Sequence, residues 1–307
     1  MFWFALALLG ALSQAAYSFA VKVLLHRVPP WPLAGFSFLS GSLILFAVSL
    51  ISGIPATGPG FFQAVAVTVA INIVATILFY RALGTTDLSL CVPMLAFTPV
   101  FLILTSFLIL GELPSPAGAA GILLVAAGAY LLNLAYRDGW PVSLTAPFLS
   151  LRHDRGIQAM LLVAFLYSIS VNYDKRVVEE SDPVFGSAIV LLLLGTAFLV
   201  LAALTVKGRV PGGSLPGVPL LPGIQQERPL LRSLMFPAIG LVLAIELIAI
   251  NTAYTMAIVP YVITVKRLAI FFSVLAGGLL LGERQLGGRI IGAVVMIAGA
   301  VVIAFWG

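Results

Sequence analysis

The chain has 307 residues, 61% of them hydrophobic and 9% charged, with a net charge of +5 and a mean hydropathy of +1.16. So few charges cannot solvate the surface of a water-soluble protein of this length, and that class is excluded. The basic residues lie mostly between apolar runs, which points to an anionic membrane leaflet as their partner and away from nucleic acid.

A hydrocarbon core about 30 Å thick takes roughly 20 apolar residues per helix. Runs of that size fall at 2–25, 32–51, 61–83, 87–110, 115–134, 156–176, 184–205, 234–257, 260–281 and 286–306. Backbone groups in lipid must bond within their own segment, and no run shows the strict alternation of a barrel strand, so each is read as a helix. The first run lacks the basic start of a secretory leader and reads as a span, although Ser13-Gln14-Ala15 has the form of a cleavage site. Pro93 and Pro99 remove ladder donors from the fourth run, and Pro260 opens the ninth. Residues 206–233 are rich in Pro and Gly and predict an irregular loop. Trp3, Trp31, Trp140 and Trp306 fall at run ends or loop edges, where interfacial anchors sit.

The two halves repeat. Tyr80 and Tyr254 hold the same place, as do Asn72 and Glu246, and the pairs Gly111-Glu112 and Gly282-Glu283 each end a long apolar run. The reading is therefore an all-α polytopic membrane protein: a first five-helix repeat over 1–134, a connecting loop over 135–155 and a second repeat over 156–307. Five is odd, so the halves enter the membrane in opposite directions, as in many secondary carriers. Loops after odd-numbered spans hold Lys22, Arg27, Arg81, Arg137, Arg152, Arg155, Lys207, Arg209, Arg228, Arg232, Arg284 and Arg289, whereas those after even-numbered spans hold Lys175 and Arg176. That bias predicts odd loops in the cytoplasm and both termini outside.

The recurring run with a terminal Gly-Glu, "FLILTSFLILGE" (101–112) and "FSVLAGGLLLGE" (272–283), is followed each time by a glycine-rich helix, "PAGAAGILLVAAGAYLL" (116–132) and "LGGRIIGAVVMIAGAVVI" (286–303), and preceded by "YRAL" (80–83) and "YTMA" (254–257). In these features the chain resembles the EamA-type ten-helix carriers of the drug/metabolite transporter superfamily. The resemblance implies ten spans, a small-molecule substrate and a bacterial inner or other plasma membrane. Members are usually taken to keep both termini in the cytoplasm, opposite to the Lys/Arg bias here.

Charges inside spans are the sharpest candidates for a site. Glu246 lies near the middle of the eighth span, and Lys266 and Arg267 about two turns into the ninth. Each charge costs about 2.5–3.5 kcal/mol at mid-membrane, so together they must pair or face a wet interior. One reading is a structural ion pair between the eighth and ninth spans. The other is a substrate site in which two cations against one carboxylate leave a positive residue for an anion. The repeat places Leu95 and Ala96 opposite Lys266 and Arg267, so the scaffold itself does not require the charges. "TVKRL" (264–268) also resembles the Lys-Arg pair of plastid phosphate translocators in the same superfamily, which implies phosphate binding there.

Lys22 and Lys175 are repeat-related, near the ends of the first and sixth spans, and either snorkel or approach a ligand from opposite sides. Asn72, the partner of Glu246, and Tyr254 complete the candidate binding set, each with packing or interface marking as its alternative role. Glu112 and Glu283 are read as acceptors for the exposed N–H groups of the helix that follows. The glycines of the fifth and tenth spans read as packing seams or dimer faces. Cys91 is the single cysteine, His26 and His153 lie in loops without ligand spacing, and no nucleophile or phosphate-loop motif occurs. No cofactor, metal or enzymatic activity is therefore expected. The expected function is secondary-active transport of a small polar or anionic metabolite (organic anion, sugar phosphate or amino-acid-like), by a monomer or homodimer. Lipid translocation or a structural role on the same fold is the alternative.

Overall fold

The structure, a computed structural model, describes residues 1–25, 28–86, 88–134, 136–137, 140–141, 143–206, 229–281 and 286–307. The first three runs are continuous helices, α1 (Phe2–Leu25), α2 (Pro30–Ser52) and α3 (Phe61–Thr85). The fourth is interrupted, as its prolines require: a single turn α4 (Leu88–Cys91), a 3₁₀ stretch Val92–Phe97 and then α5 (Thr98–Leu110), with Pro99 in its first turn. Gly111 ends α5 in the left-handed region (φ 72°), where its N–H reaches Phe107 and that of Glu112 reaches Ser106, a glycine helix stop. Ser115 then caps α6 (Pro116–Asn133), its hydroxyl accepting from the Gly118 N–H at 2.9 Å.

Residues 135–155 contain more structure than a loop. A two-stranded ribbon pairs β1 (Tyr136–Arg137) with β2 (Trp140–Pro141), and α7 (Ala146–Ser150) follows. Tyr130 holds α7 by donating to the Leu144 carbonyl and by ring contact with Phe148. Asp154 caps α8 (Arg155–Glu179), accepting from Gly156, Ile157 and the Thr86 hydroxyl. The Thr86 hydroxyl, with those two N–H groups, holds the Asp154 carboxyl below the usual carboxylate range. The second half continues as α9 (Phe185–Val206), α10 (Pro229–Tyr254), α11 (Val259–Lys266), α12 (Ala269–Leu281) and α13 (Leu286–Trp306). Residues 207–228 of the expected irregular loop lie outside the described residues, while Pro229 already opens a helix. The ninth run divides at Arg267–Leu268 with no proline there. The Arg267 N–H is shared between the Ile263 and Thr264 carbonyls, and Leu268 bonds Val265 in the tighter 3₁₀ manner.

Among the described residues eight helical segments are long and apolar enough to cross a membrane, Ile290–Trp306 is a shorter apolar helix, and α11 with α12 fills the ninth run, at the positions read from sequence to within a few residues. The main packing pairs are α1 with α10, α2 with α9, α3 with α8 and α6 with α13. In addition, α8 packs on the 3₁₀ stretch and α5, while α1 packs on α11 and α12. Exchanging each segment for its counterpart five segments along returns the same set of pairs. Contacts at the two ends of the bundle show the inversion. Trp3 at the start of α1 stacks on Tyr261, and Ser115 bonds the Trp306 carbonyl, at the end that carries both termini. At the other end Asp154, at the start of α8, meets Thr86. The protein is thus an all-α polytopic membrane protein with its first and sixth spans starting at opposite ends.

One sequence expectation narrows here and one changes. The glycines of α6 and α13 form an intramolecular seam. A Cβ on Gly128 would stand 2.6 Å from the Gly292 carbonyl oxygen, and one on Gly121 would stand 2.8 Å from that of Gly299. The backbones touch, so this stripe is used within the chain rather than offered to a second copy. Trp31 is not an interfacial anchor either. It is 7% exposed and sits against Tyr80 and Phe198, at ring distances of 4.9 and 5.9 Å. Trp306, 63% exposed, remains at an end, and Trp3 lies on Tyr261.

Candidate functional site

The interior between the halves is built from polar residues on α1, α3, α8, α10 and α11. Glu246 projects from the middle of α10 and is 3% exposed. Lys266, on the last turn of α11, donates to Glu246 Oε1 at 2.6 Å. The pair follows from topology: α10 and α11 are antiparallel neighbours joined by a short turn, and a long lysine stem covers the difference in depth. Glu246 Oε2 is buried with no hydrogen-bond partner among the described residues. The Lys266 side chain is 23% exposed although it lies two turns inside the span. Arg267 is likewise only half-buried and lies within electrostatic reach of Tyr167 on α8.

Asn72 on α3 faces α8, not α10. Its amide donates to the Ser170 hydroxyl at 2.6 Å and to Thr68 Oγ1 at 3.2 Å. The Thr68 hydroxyl lies 2.8 Å from Ser170 Oγ and donates to Asp174 Oδ1 at 2.5 Å. Asp174 is half-buried and feels Lys266 across the interior. Tyr254, 3% exposed, lies within reach of Asp174, Glu246 and Glu112. Tyr17 of α1 stands near Glu246, Tyr80 and Tyr167, and Tyr167 bonds Thr76 of α3. Tyr17 and Glu246 thus occupy in one half the relation that Ser170 and Asn72 occupy in the other.

Of the sequence-predicted set, Glu246, Lys266, Arg267, Tyr254 and Asn72 converge on this interior. Lys175 does not. It forms an ion pair with Glu112 near the end that carries the termini and lies 3.9 Å from Glu179. The side chain of Lys22 lies outside the described residues, as does Glu283. Glu112 accepts a helix-start N–H, but from Val259 of α11 at 2.8 Å rather than from the helix that follows it, whose start is capped by Ser115. With Lys175 on its other oxygen, and with Arg176 Nη2 donating to the Ile109 carbonyl at 2.6 Å, Glu112 ties the fourth span to the sixth and ninth at this end. Tyr261 adds a bond to the Ser115 N–H at 2.8 Å.

Asp174, Thr68, Ser170, Thr76 and the tyrosines Tyr17, Tyr80 and Tyr167 are site residues that the sequence reading left out of the binding set. Asp174 was the legible one, a carboxylate five residues from the end of α8 within an Asn-Tyr-Asp stretch. Including it changes the electrostatics: Glu246 and Asp174 balance Lys266 and Arg267, so the ionised cluster is formally neutral. Among the described residues no group of three His, Cys, Asp or Glu side chains is placed to hold a metal ion.

No curated protein matches the chain. A solved crystal structure, titled only "Crystal structure of protein", shares its fold at a TM-score of 0.74 with 16% identity, covering 98% of this chain and 95% of that one. The family model of the EamA-like transporter family matches residues 1–134, which are the first five spans. Over those residues this integral membrane protein is similar to the EamA-like transporter family, a family of membrane transporters.

Proposed function

We propose that this chain is a secondary-active carrier that moves a small polar or anionic metabolite by alternating access between two inverted five-helix repeats, residues 1–134 and 156–307, joined by 135–155. The observation that carries the reading is the Glu246–Lys266 pair. It is held in the membrane interior with one carboxylate oxygen unpartnered among the described residues and with the lysine partly exposed, beside a second cation, Arg267. A pair needed only to lock α10 to α11 gains nothing from an orphan acceptor, which costs about 1–3 kcal/mol. A solute that donates to Oε2 and presents an anionic group to Lys266 and Arg267 offsets that cost. Tyr254 and Asn72 line the same interior, Lys22 is kept in the binding set as the sequence reading placed it, and Lys175 acts at the termini end through Glu112.

The Lys/Arg bias orients the chain with odd loops in the cytoplasm of a bacterial inner membrane and both termini outside. With its glycine seam closed internally, the transport unit is the single chain. A lateral groove lined by Phe101, Leu161, Leu162 and Phe165 bears on lipid translocation. Its polar lining, Arg152 and Gln158, lies at the loop end only, which gives a headgroup no polar path along it and favours the solute reading. Uptake of labelled phosphorylated and carboxylated metabolites into proteoliposomes tests the proposal. Lys266→Met/Arg267→Met should abolish it with insertion intact, and unchanged uptake in that variant would remove both cations from the mechanism.

A further inference from the structure

We infer that Asp174 is the proton-binding residue of this site, and that proton binding there is linked to binding of the anionic solute. The inference rests on the proposed carrier function and adds its coupling. Two carboxylates flank one lysine. Glu246 is 3% exposed and bonded directly to Lys266, so its charge is matched at contact distance. Asp174 is half-buried, and it meets Lys266 only through space; its hydrogen bond is to the Thr68 hydroxyl. It therefore has access to protons and, among the described residues, no contact cation that would be stranded when it is neutralised.

The groups facing Asp174 come from every neighbouring element. Thr68 on α3 is bonded to Asp174, with Asn72 and Ser170 behind; Lys266 on α11 and Tyr254 on α10 lie within electrostatic reach; Glu246 on α10 is the partner of Lys266, and Lys175, next on α8, is the partner of Glu112. The Thr68 hydroxyl donates to ionised Asp174, and the Asn72 amide, donating to Thr68 Oγ1 and Ser170 Oγ, supports it from behind. Rotation of the Thr68 hydroxyl lets it accept from the protonated form, so both states find a partner. With Asp174 ionised the described charges of Glu246, Asp174, Lys266 and Arg267 sum to zero, which holds an anion weakly. With Asp174 protonated the cluster carries one positive charge, which an anion satisfies. Proton and anion thus bind together and, by reciprocity, each raises the affinity for the other.

Infrared difference spectroscopy on the full chain in lipid, titrated between about pH 4 and about pH 9, reads the proton directly. The first carboxyl C=O band to appear on acidification should vanish in Asp174→Asn, shift in position in Asp174→Glu and persist in Glu246→Gln. Persistence of the band in Asp174→Asn, its loss in Glu246→Gln, or no titrating band at all would overturn the assignment. Thermal stabilisation by phosphate and by a panel of carboxylates reads the linkage. It should strengthen on acidification in the native chain and lose that pH dependence in Asp174→Asn. The same pH dependence in both would overturn the linkage while leaving the carrier reading in place. If no anion stabilises the chain at any pH although the band titrates normally, the anionic carrier reading and the linkage fall, and Asp174 stands as the proton site.

Discussion

Breaking the Glu246–Lys266 pair from each side should have unequal consequences. Lys266→Met removes the partner of a carboxylate that is 3% exposed and already has one oxygen without a partner among the described residues, leaving both stranded. Stranding a buried charge costs about 3–5 kcal/mol, and the Lys266 side chain is itself 23% exposed, so a loss of about 3 kcal/mol is expected. Glu246→Gln strands an ammonium that is partly exposed and still feels Asp174, so the loss is that of one charged hydrogen bond, about 1.5 kcal/mol. The double variant removes both charges and should stand only about 2 kcal/mol below the native chain, giving an interaction of about 2.5 kcal/mol. Equilibrium unfolding in mixed micelles, followed by far-ultraviolet circular dichroism, measures all three. Single losses that add to within about 0.5 kcal/mol, or a larger loss for Glu246→Gln than for Lys266→Met, would refute this account of the pair.

Four further substitutions probe the frame. Gly128→Leu drives a side chain into the Gly292 carbonyl and Met296, and should cost on the order of 3 kcal/mol or prevent folding, whereas Gly53→Ala, strained only in its backbone (φ 95°) with nothing nearby, should cost about 1 kcal/mol by the same unfolding assay. Asp154→Ala should cost about 1 kcal/mol. Because the Asp154 carboxyl is held low in the folded state, its contribution is fully present above about pH 4 and is lost on acidification through its folded pKa, so native chain and variant should converge in stability at low pH. Glu112→Gln weakens the charge-assisted bond to the Val259 N–H, and hydrogen exchange at the start of α11 should rise about tenfold, with no comparable change at the start of α8.

Legibility in the sequence followed the physics of each feature. Span positions were readable because lipid demands a fixed apolar length, and the agreement of α1, α6 and α13 with their runs reflects that. The interruption of the fourth span was readable from Pro93 and Pro99, because proline acts locally. The break at Arg267–Leu268 was not, because it has no local breaker and lies where two charged side chains turn into the interior. Pairing of Glu246 with Lys266 followed from adjacency in the chain. The meeting of Asp174 with Thr68, and of Glu112 with Val259, depends on how α3, α5, α8 and α11 pack across the halves, which sequence spacing does not encode. The placement of Trp31 failed for a related reason. A tryptophan at a helix start marks an interface only if no neighbour covers it, and here Tyr80 and Phe198 do.

The central claim is an interior between the halves that receives an anion at Lys266 and Arg267. Thermal stabilisation of the purified chain by phosphorylated, carboxylated, neutral and cationic metabolites, compared with Lys266→Met/Arg267→Met, tests it most directly. The prediction is selective stabilisation by one or more anions, strongest at acid pH and absent in the variant. Selective stabilisation by cations, or anion stabilisation that survives loss of both side chains, would contradict it.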